Sequence, residues 1–389
     1  MKSFDKTQDL RIALVHDYIK EYGGAERVLE ALHGIWPDAP IFTTVYLPEF
    51  LGPHKERFRD WDIRTSFMQY LPLKAKLISP FRLVAPLVFK TFDFSQFDVV
   101  IVSATGAYVK KFKVQNSKFK IITYCHTPAR YLYGFATARE WKKNILIRVL
   151  GEIANHFLRL IDFKSSQSVD YFIANSKNVA ERIKKFYRKD STVIYPPVDM
   201  KDTKILRYKD IKKGNYFLAG GRLARPKHID LIVDACHKLN IPLKVFGRGF
   251  GDADIKDQIS KIKNTNKKSN IEYLGEVTDE EKLELMRNAR AYIFAAEDED
   301  FGITPVEAIS VGTPVIAYKS GGVVESVIEG KTGLFFDELT VENLSKAMKQ
   351  FNNLTINSTD CINQAQKFSK ERFKKEIKEF VESKIKHDS

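Results

Sequence analysis

Four consecutive acids, Glu297-Asp298-Glu299-Asp300, come straight after an apolar run and lead into Phe301-Gly302-Ile303-Thr304-Pro305-Val306-Glu307-Ala308. Carboxylates so crowded are costly to bury unpaired, so the segment must face a cleft, a cation or water. Seven residues separate Glu299 from Glu307. Pro305 just inside a helix start, with Glu307 in its first turn, is good capping chemistry as well, and for Glu307 alone that reading competes with a binding role. Upstream lies Gly220-Gly221-Arg222-Leu223-Ala224-Arg225-Pro226-Lys227-His228, a glycine pair between a strand and a helix. There the planar fork of Arg222 and the point charge of Lys227 are spaced to close on one diphosphate. A second pair, Gly23-Gly24, precedes a helical face made of Ala25, Val28, Leu29 and Leu32. Backbone approaches a ligand closely at such a turn, and a helix N-terminus offers amides to an anion, although a tight turn without a ligand explains a lone pair equally well. Neither pair has the spacing of a dinucleotide fingerprint or a P-loop, so oxidoreductases and NTPases lose their usual signature.

Those segments need a scaffold. The 389 residues are enough for two or three domains at roughly 150 residues each. Apolar runs alternating with amphipathic stretches predict parallel α/β sheets. Strands are expected at Ile12–Val15, Val99–Ser103, Lys120–Tyr124 and Tyr171–Ala174, then at Tyr216–Ala219, Leu243–Phe246, Ile271–Leu274, Ala291–Ala295, Val315–Ala317 and Leu334–Phe336. Helices are expected at Ile229–Leu239 and Asp279–Asn288, the latter opened by a Thr278/Glu281 capping box. The prolines of Tyr195-Pro196-Pro197-Val198-Asp199 stiffen an extended hinge. Residues 1–195 therefore form one doubly wound domain and 196–365 a second, followed by one basic amphipathic helix over 366–389.

Composition narrows the class. Three scattered cysteines, Cys125, Cys236 and Cys361, make neither a disulfide framework nor a zinc knuckle and fit a reducing compartment. The start, Met1 to Arg11, lacks the apolar core of a signal peptide. The longest apolar run, Leu83 to Phe89, is far below the about 18 residues of a spanning helix. The net charge of +14 is lopsided, with 31 Lys and Arg against 19 Asp and Glu in residues 1–190. Such asymmetry points to a polyanion, either a membrane surface or a nucleic acid, against the plainer reading of a solvated basic surface.

Taken together, these residues resemble family 4 glycosyltransferases of the GT-B fold, which carry a Glu-x7-Glu motif, here Glu299 to Glu307. The resemblance extends to Gly220-Gly221-Arg222 with Lys227 and to Gly312-Thr313-Pro314-Val315-Ile316-Ala317. The first half is most similar to bacterial mannosyltransferases of lipopolysaccharide O-antigen assembly, through Val15-His16-Asp17-Tyr18, Gly23-Gly24-Ala25-Glu26-Arg27-Val28, Thr65-Ser66-Phe67 and Tyr124-Cys125-His126-Thr127-Pro128-Ala129-Arg130-Tyr131. Glu299-Asp300-Phe301-Gly302 follows that subgroup and departs from the Glu-Pro-Phe-Gly of the wider family.

The resemblance implies two Rossmann-like domains facing across a cleft, with the C-terminal helix packing back on the first. It implies a retaining enzyme that needs neither metal nor other cofactor and takes a nucleotide-diphosphate sugar, GDP-mannose first and a UDP-sugar as the alternative, with a non-catalytic nucleotide- or glycan-binding subunit of an assembly complex as the competing reading. By the same resemblance Glu307 binds the donor ribose and Arg222 and Lys227 neutralise the departing diphosphate. Glu299 lies beside the transferred sugar, and amides of Phe301, Gly302, Ile303 and Thr304 meet its oxygens or those of phosphate. Gly23 and Gly24 close over the diphosphate, and His126 orients the sugar. The acceptor is a lipid-linked or oligosaccharide chain. The basic first half then acquires a role at the inner face of the cytoplasmic membrane, through Phe67 to Phe89 with Lys74, Lys76, Arg82 and Lys90. A second basic apolar stretch, Arg139 to Lys164, sets Trp141, Ile145, Val149 and Leu158 beside Lys142, Lys143, Arg148 and Arg159. No base-reading module appears, so nucleic acid is not expected as a partner.

Overall fold

The computed structural model describes residues 10–81, 85–105, 119–138, 144–200, 214–249 and 270–386. The chain divides into two compact units. The first comprises Met1–Tyr133, Val149–Pro197 and Lys370–Ser389, and the second Gly134–Arg148 and Val198–Ser369.

Among the described residues the first unit holds seven strands: β1 (Ile12–His16), β2 (Ile41–Thr43), β3 (Ile63–Thr65), β4 (Val99–Thr105), β5 (Lys120–Thr127), β6 (Tyr171–Ala174) and β7 (Ser191–Val193). They lie in the order β3-β2-β1-β4-β5-β6-β7, every pair parallel. An all-parallel sheet is covered on both faces, so its strands read as unbroken apolar runs. In β1 the side chains alternate between two cores, Ala13 and Val15 in one and Ile12 and Leu14 in the other. Helices α1 (Gly24–His33), α2 (Ile145–Ser166) and α3 (Lys177–Tyr187) belong with this sheet, α2 starting a few residues before the unit boundary. Ser176 caps α3, its Oγ accepting from the Val179 N–H at 3.1 Å, and Val179, Ile183 and Tyr187 line the buried face at a spacing of four. Strands β2, β3 and β7, absent from the sequence-based expectation, are only three residues each.

The second unit carries β8 (Phe217–Gly220), β9 (Leu243–Phe246), β10 (Ile271–Gly275), β11 (Tyr292–Phe294), β12 (Val315–Tyr318) and β13 (Gly333–Phe336). Their order is β10-β9-β8-β11-β12-β13, again wholly parallel. Helices α4 (Ile229–Leu239), α5 (Asp279–Asn288) and α6 (Ile303–Ser310) follow β8, β10 and β11. The capping box of α5 is formed: Thr278 Oγ1 accepts from the Glu281 N–H at 3.2 Å, and Glu281 Oε2 accepts from the Thr278 N–H at 2.8 Å. In both sheets the direction of winding reverses at the first strand of the unit. Ligands of such folds bind outside the carboxyl ends of the strands at that reversal. For the second unit this means the loops after β8 and β11, and for the first the loop after β1.

Two boundaries differ from the expectation. Residues 366–389 are not one helix. Gln366–Phe368 is a short 3-10 turn, and Ser369 is extended at φ −63° and ψ 153°. Helix α7 (Lys370–Lys386) begins only there. The break follows from divided loyalty: Phe368 packs on Phe301 in the second unit, whereas Phe373, Ile377 and Val381 are buried in the first. Burial of side chains of that size contributes roughly 1.5–3 kcal/mol each, which holds α7 to the first unit. Likewise Gly134–Arg148 groups with the second unit, where the Ala136 N–H donates to Asp298 Oδ2 at 3.1 Å and Arg225 reaches the Thr137 carbonyl at 3.2 Å.

Candidate active site

In the second unit, β8 runs into Gly220-Gly221, and the backbone there is crowded by β9. A Cβ on Gly247 would lie 1.8 Å from the Gly221 carbonyl oxygen, and Gly221 itself sits at φ +108°. The glycines are thus required by close packing of two strand ends, which leaves Arg222 exposed on the turn. A 3-10 turn, Arg225–Lys227, then brings Lys227 back toward the loop after β11. Its Nζ meets Glu299 Oε2 at 2.5 Å and stands 4.9 Å above the Phe294 ring. Next to it His228 Nε2 lies 3.4 Å from Glu297 Oε2. The acidic run is therefore neither buried nor idle: all four acids are half-buried, Glu299 faces the Lys227 ammonium and Glu297 the His228 ring of the opposite loop. Glu299 is also held through its backbone, its carbonyl accepting from the Gly322 N–H at 2.8 Å. The adjacent Gly321, at φ +69°, passes so close that a Cβ would be 2.2 Å from the Glu299 oxygen. Among the described residues no three carboxylate, imidazole or thiol groups converge as a metal site would require.

Helix α6 starts from Gly302 at φ +89°, with Ile303 and Thr304 in its first turn and Phe301 buried just before it. The first amides of a helix have no partner within it and suit an anion or a sugar oxygen. Thr304 lies beside the β8 turn, its Cγ2 3.7 Å from where a Cβ on Gly221 would stand. Tyr292 ties the same two loops, its hydroxyl donating to the Gly220 carbonyl at 2.6 Å, and burial raises its pKa.

Glu307 is not the cap that the proline placement implied. The helix begins two residues before Pro305, no acid lies in its first turn, and the Glu307 side chain is 4% exposed. Its Oε1 accepts from Lys282 Nζ at 2.8 Å, and the same ammonium reaches Asp279 Oδ1 at 2.9 Å. Lys282 itself is buried. A buried polar side chain needs a partner, and Lys282 fixes the orientation of the Glu307 carboxylate. Sequence reading missed Lys282, because a lysine in a polar helix looks like solvated surface. Only its position one turn after the cap, on the side that faces α6, could have marked it.

In the first unit Gly23 and Gly24 open α1. Gly23 has an ordinary negative φ of −125°, so no left-handed turn requires it. Its N–H is taken by Glu26 Oε2 at 2.8 Å, and Glu26 Oε1 lies 3.7 Å from His16 Nε2 at the end of β1. Burial pushes the Glu26 carboxyl up, but His16 and the backbone donors outweigh it and hold the group below the usual glutamate range. His126 is the next-to-last residue of β5, its Nε2 2.9 Å from Ser103 Oγ on β4 and its carbonyl accepting from Asn175 Nδ2 at 2.8 Å. The buried Arg182 adds a bond from its NH1 to Thr127 Oγ1 at 3.1 Å. Ser103 and Asn175, which fix the histidine, and Arg182, which fixes its neighbour Thr127, were not singled out from sequence, since each sits on a different element.

Within the second unit, then, the structure brings Lys227 to Glu299 and Thr304 to the Gly220-Gly221 turn, and gives Glu307 a lysine partner of its own. His126 and Gly23-Gly24 lie on the first unit, each in its own network. Cations and helix amides in one loop cluster suit a diphosphate, and oriented carboxylates beside them suit hydroxyls.

Comparison with known proteins bears on this chemistry. Residues 22–202 match the model of Glycosyltransferase Family 4 and residues 201–368 that of Glycosyl transferases group 1. The mouse α-1,3/1,6-mannosyltransferase ALG2 is 25% identical over 92% of this chain and 93% of its own. The ALG2 of Dictyostelium discoideum is 25% identical over 71% of this chain and 72% of its own. Among solved structures, sucrose-phosphate synthase of Thermosynechococcus elongatus superposes with a TM-score of 0.71 at 16% identity, covering 97% of this chain and all (100%) of that one. Anabaena HepE in complex with UDP and glucose gives 0.67 at 18% identity, covering 96% and 100%. Two Rossmann-like sheets, a paired Glu-x7-Glu motif and a basic glycine turn, matched by adjoining family models from residue 22 to 368, lead to one assignment: the chain is an enzyme of glycosyltransferase family 4, with the GT-B fold.

Proposed function

We propose that this glycosyltransferase moves mannose from GDP-mannose, with retention at the anomeric carbon, to a lipid-linked or polysaccharide acceptor in lipopolysaccharide O-antigen assembly. It works as a peripheral protein at the inner face of the cytoplasmic membrane. The observation that carries the donor chemistry is the Lys227–Glu299 contact at the strand-order reversal of the second sheet, with Arg222 on the same turn. The names of the ALG2 relatives support mannose as the sugar.

In this reading the bond from the anomeric carbon to the diphosphate oxygen breaks while an acceptor hydroxyl attacks from the same face, and its proton passes to the departing phosphate. Charge builds on the phosphate and on an oxocarbenium-like sugar at once. Arg222 and Lys227 meet the first, and one lysine ammonium has donors enough to serve both Glu299 and a phosphate oxygen. Amides of Phe301 to Thr304 hold oxygens of the sugar or phosphate. Glu307, oriented by Lys282, binds adjacent ribose hydroxyls, His126 orients the sugar, and Gly23-Gly24 bind the diphosphate. No metal is assigned to these steps.

Thermal unfolding with GDP and with UDP tests the donor. GDP at about 100 times its Kd stabilises by about 2.7 kcal/mol, and UDP leaves the midpoint unchanged. Stabilisation by UDP alone transfers the reading to a UDP-sugar, and mannose transfer from GDP-mannose to a soluble acceptor analogue then fails.

A further inference from the structure

Helix α2 is inside out. Leu146, Leu150, Ile153, Phe157 and Leu160 follow one another at intervals of four and three, which places them on one face, and they are 71, 67, 53, 60 and 56% exposed. The opposite face holds Asn155, Asp162, Ser165 and Ser166, all buried, with Leu158 packed on the first core. Two of those polar groups anchor the helix. Asp162 Oδ2 accepts from the hydroxyls of Tyr133 and Tyr187 at 2.9 Å each, and Asn155 Nδ2 donates to the Tyr131 carbonyl at 3.3 Å. A surface helix of a water-soluble domain ordinarily turns its apolar stripe inward. Here the rotation is fixed the other way by buried hydrogen bonds, so the apolar face is outward by construction.

We propose that this outer face of α2 inserts into the interface of an anionic bilayer. Cations stand at its C-terminal end: Lys164 on the same face, and Arg188, whose guanidinium lies 5.9 Å above the Phe163 ring of α2, whereas Arg148 and Arg159 fall on the opposite side, Arg159 donating to the Leu132 carbonyl at 2.9 Å. Glu152 is the one acid on the helix besides the buried Asp162. A row of aliphatic and Phe side chains edged by Arg and Lys is the composition of helices that lie in the head-group plane, buried by about 5–10 Å. The ridge is one helix wide. A stable protein interface needs about 20–30 residues a side, far more than the ridge supplies, so a fluid layer is the occupant it fits. This deepens the proposed function and rests on it only in supposing that the acceptor is membrane-borne. It also revises which residues of the stretch matter: Leu158 faces the core, Ile145 and Val149 are exposed, and Trp141, Lys142 and Lys143 lie outside the described residues.

The test uses the full chain with vesicles of equal parts phosphatidylglycerol and phosphatidylcholine, and with phosphatidylcholine alone. The wild type sediments with the anionic vesicles. The double variant Ile153→Asp, Phe157→Asp binds them about tenfold more weakly or less, with an unchanged melting temperature because both positions are exposed. Phe157→Trp adds a direct readout: its extra tryptophan emission shifts to the blue on binding and is quenched by brominated lipid. Undiminished binding of the aspartate variant, an unshifted emission, or failure of the wild type to bind overturns the inference. So does a lipid-independent dimer that the aspartate variant dissociates, since the ridge then pairs with a second copy. Transfer from GDP-mannose to a water-soluble acceptor analogue is measured alongside; its absence in the wild type counts against the donor reading and leaves the vesicle result standing.

Discussion

The two sheets share a winding order, yet their carboxyl edges are furnished differently. In the first, His126 is held by a serine hydroxyl, an asparagine amide and a T-shaped contact with Tyr124 at 5.4 Å between ring centroids. In the second, each member of the Glu-x7-Glu pair is held by a lysine. One backbone plan therefore carries two chemistries, and the difference lies in loops and helix faces and not in strands. It also sets the cost of error. Loss of a neutral partner forfeits one hydrogen bond, whereas loss of a lysine strands a carboxylate.

That contrast is sharpest at the buried pair. Lys282→Ala takes the lysine away from a buried carboxylate, at a cost of about 3–5 kcal/mol. The melting midpoint of the second unit should fall by roughly 6–20 °C. The double variant Lys282→Met, Glu307→Leu should recover most of that loss while GDP binding stays abolished; calorimetry that finds normal GDP affinity in the double variant removes Glu307 from the donor site. Next in size is the exposed end of the same edge. Arg222→Ala or Lys227→Ala should lower kcat by about 10²–10³, as loss of one preorganised donor does elsewhere, with GDP affinity changed far less. A variant with near-normal turnover would break the assignment.

The first edge should respond more gently. Ser103→Ala removes one bond to the His126 ring, worth about 1 kcal/mol or roughly fivefold in kcat/KM. GDP affinity, measured by titration, should not move. Smallest is a pH effect at Glu26. Its carboxyl is held below the ordinary 4.5 despite burial, because His16 and the Gly23 N–H favour the charged form. A depressed carboxylate adds stability above its unfolded pKa and loses it as pH falls through the folded one. Urea unfolding should thus find Glu26→Gln less stable than wild type at pH 7, with the gap closing progressively below about 4.5. A gap that stays constant into acid would remove Glu26 from the network.

Much of this was legible beforehand, and the exceptions have physical causes. The ten expected strands exist because consecutive β-branched and aromatic residues, as in Val99-Val100-Ile101-Val102, can only be buried on both faces. Ile63-Arg64-Thr65 and Ser191-Thr192-Val193 carry no such run. They are strands because a neighbour supplies the ladder, which local sequence does not encode. Pro305 pointed to a helix starting at its own position, but Gly302 in the left-handed region starts the helix earlier. The site residues named from sequence were those with unusual neighbours in the chain. Lys282 and Ser103 were invisible because their partners are 25 and 23 residues away, at Glu307 and His126. In Phe67 to Phe89 periodicity likewise failed to separate surface from core: Phe67, Leu71, Leu73 and Leu87 are exposed, Met68 and Ile78 are buried, and Arg82 and Leu83 lie outside the described residues.

Helix α7 has a consequence for how the molecule is made. Phe373, Ile377 and Val381 complete one face of a sheet whose strands all precede Pro197. During synthesis the part of that face beside Tyr124, whose ring lies 5.7 Å from that of Phe373, stays uncovered while the whole second unit is being translated. At about 5–20 residues per second, the interval is on the order of ten to forty seconds. The first unit is begun first and finished last, and for that interval it is a client for whatever shields nascent apolar surface at the ribosome.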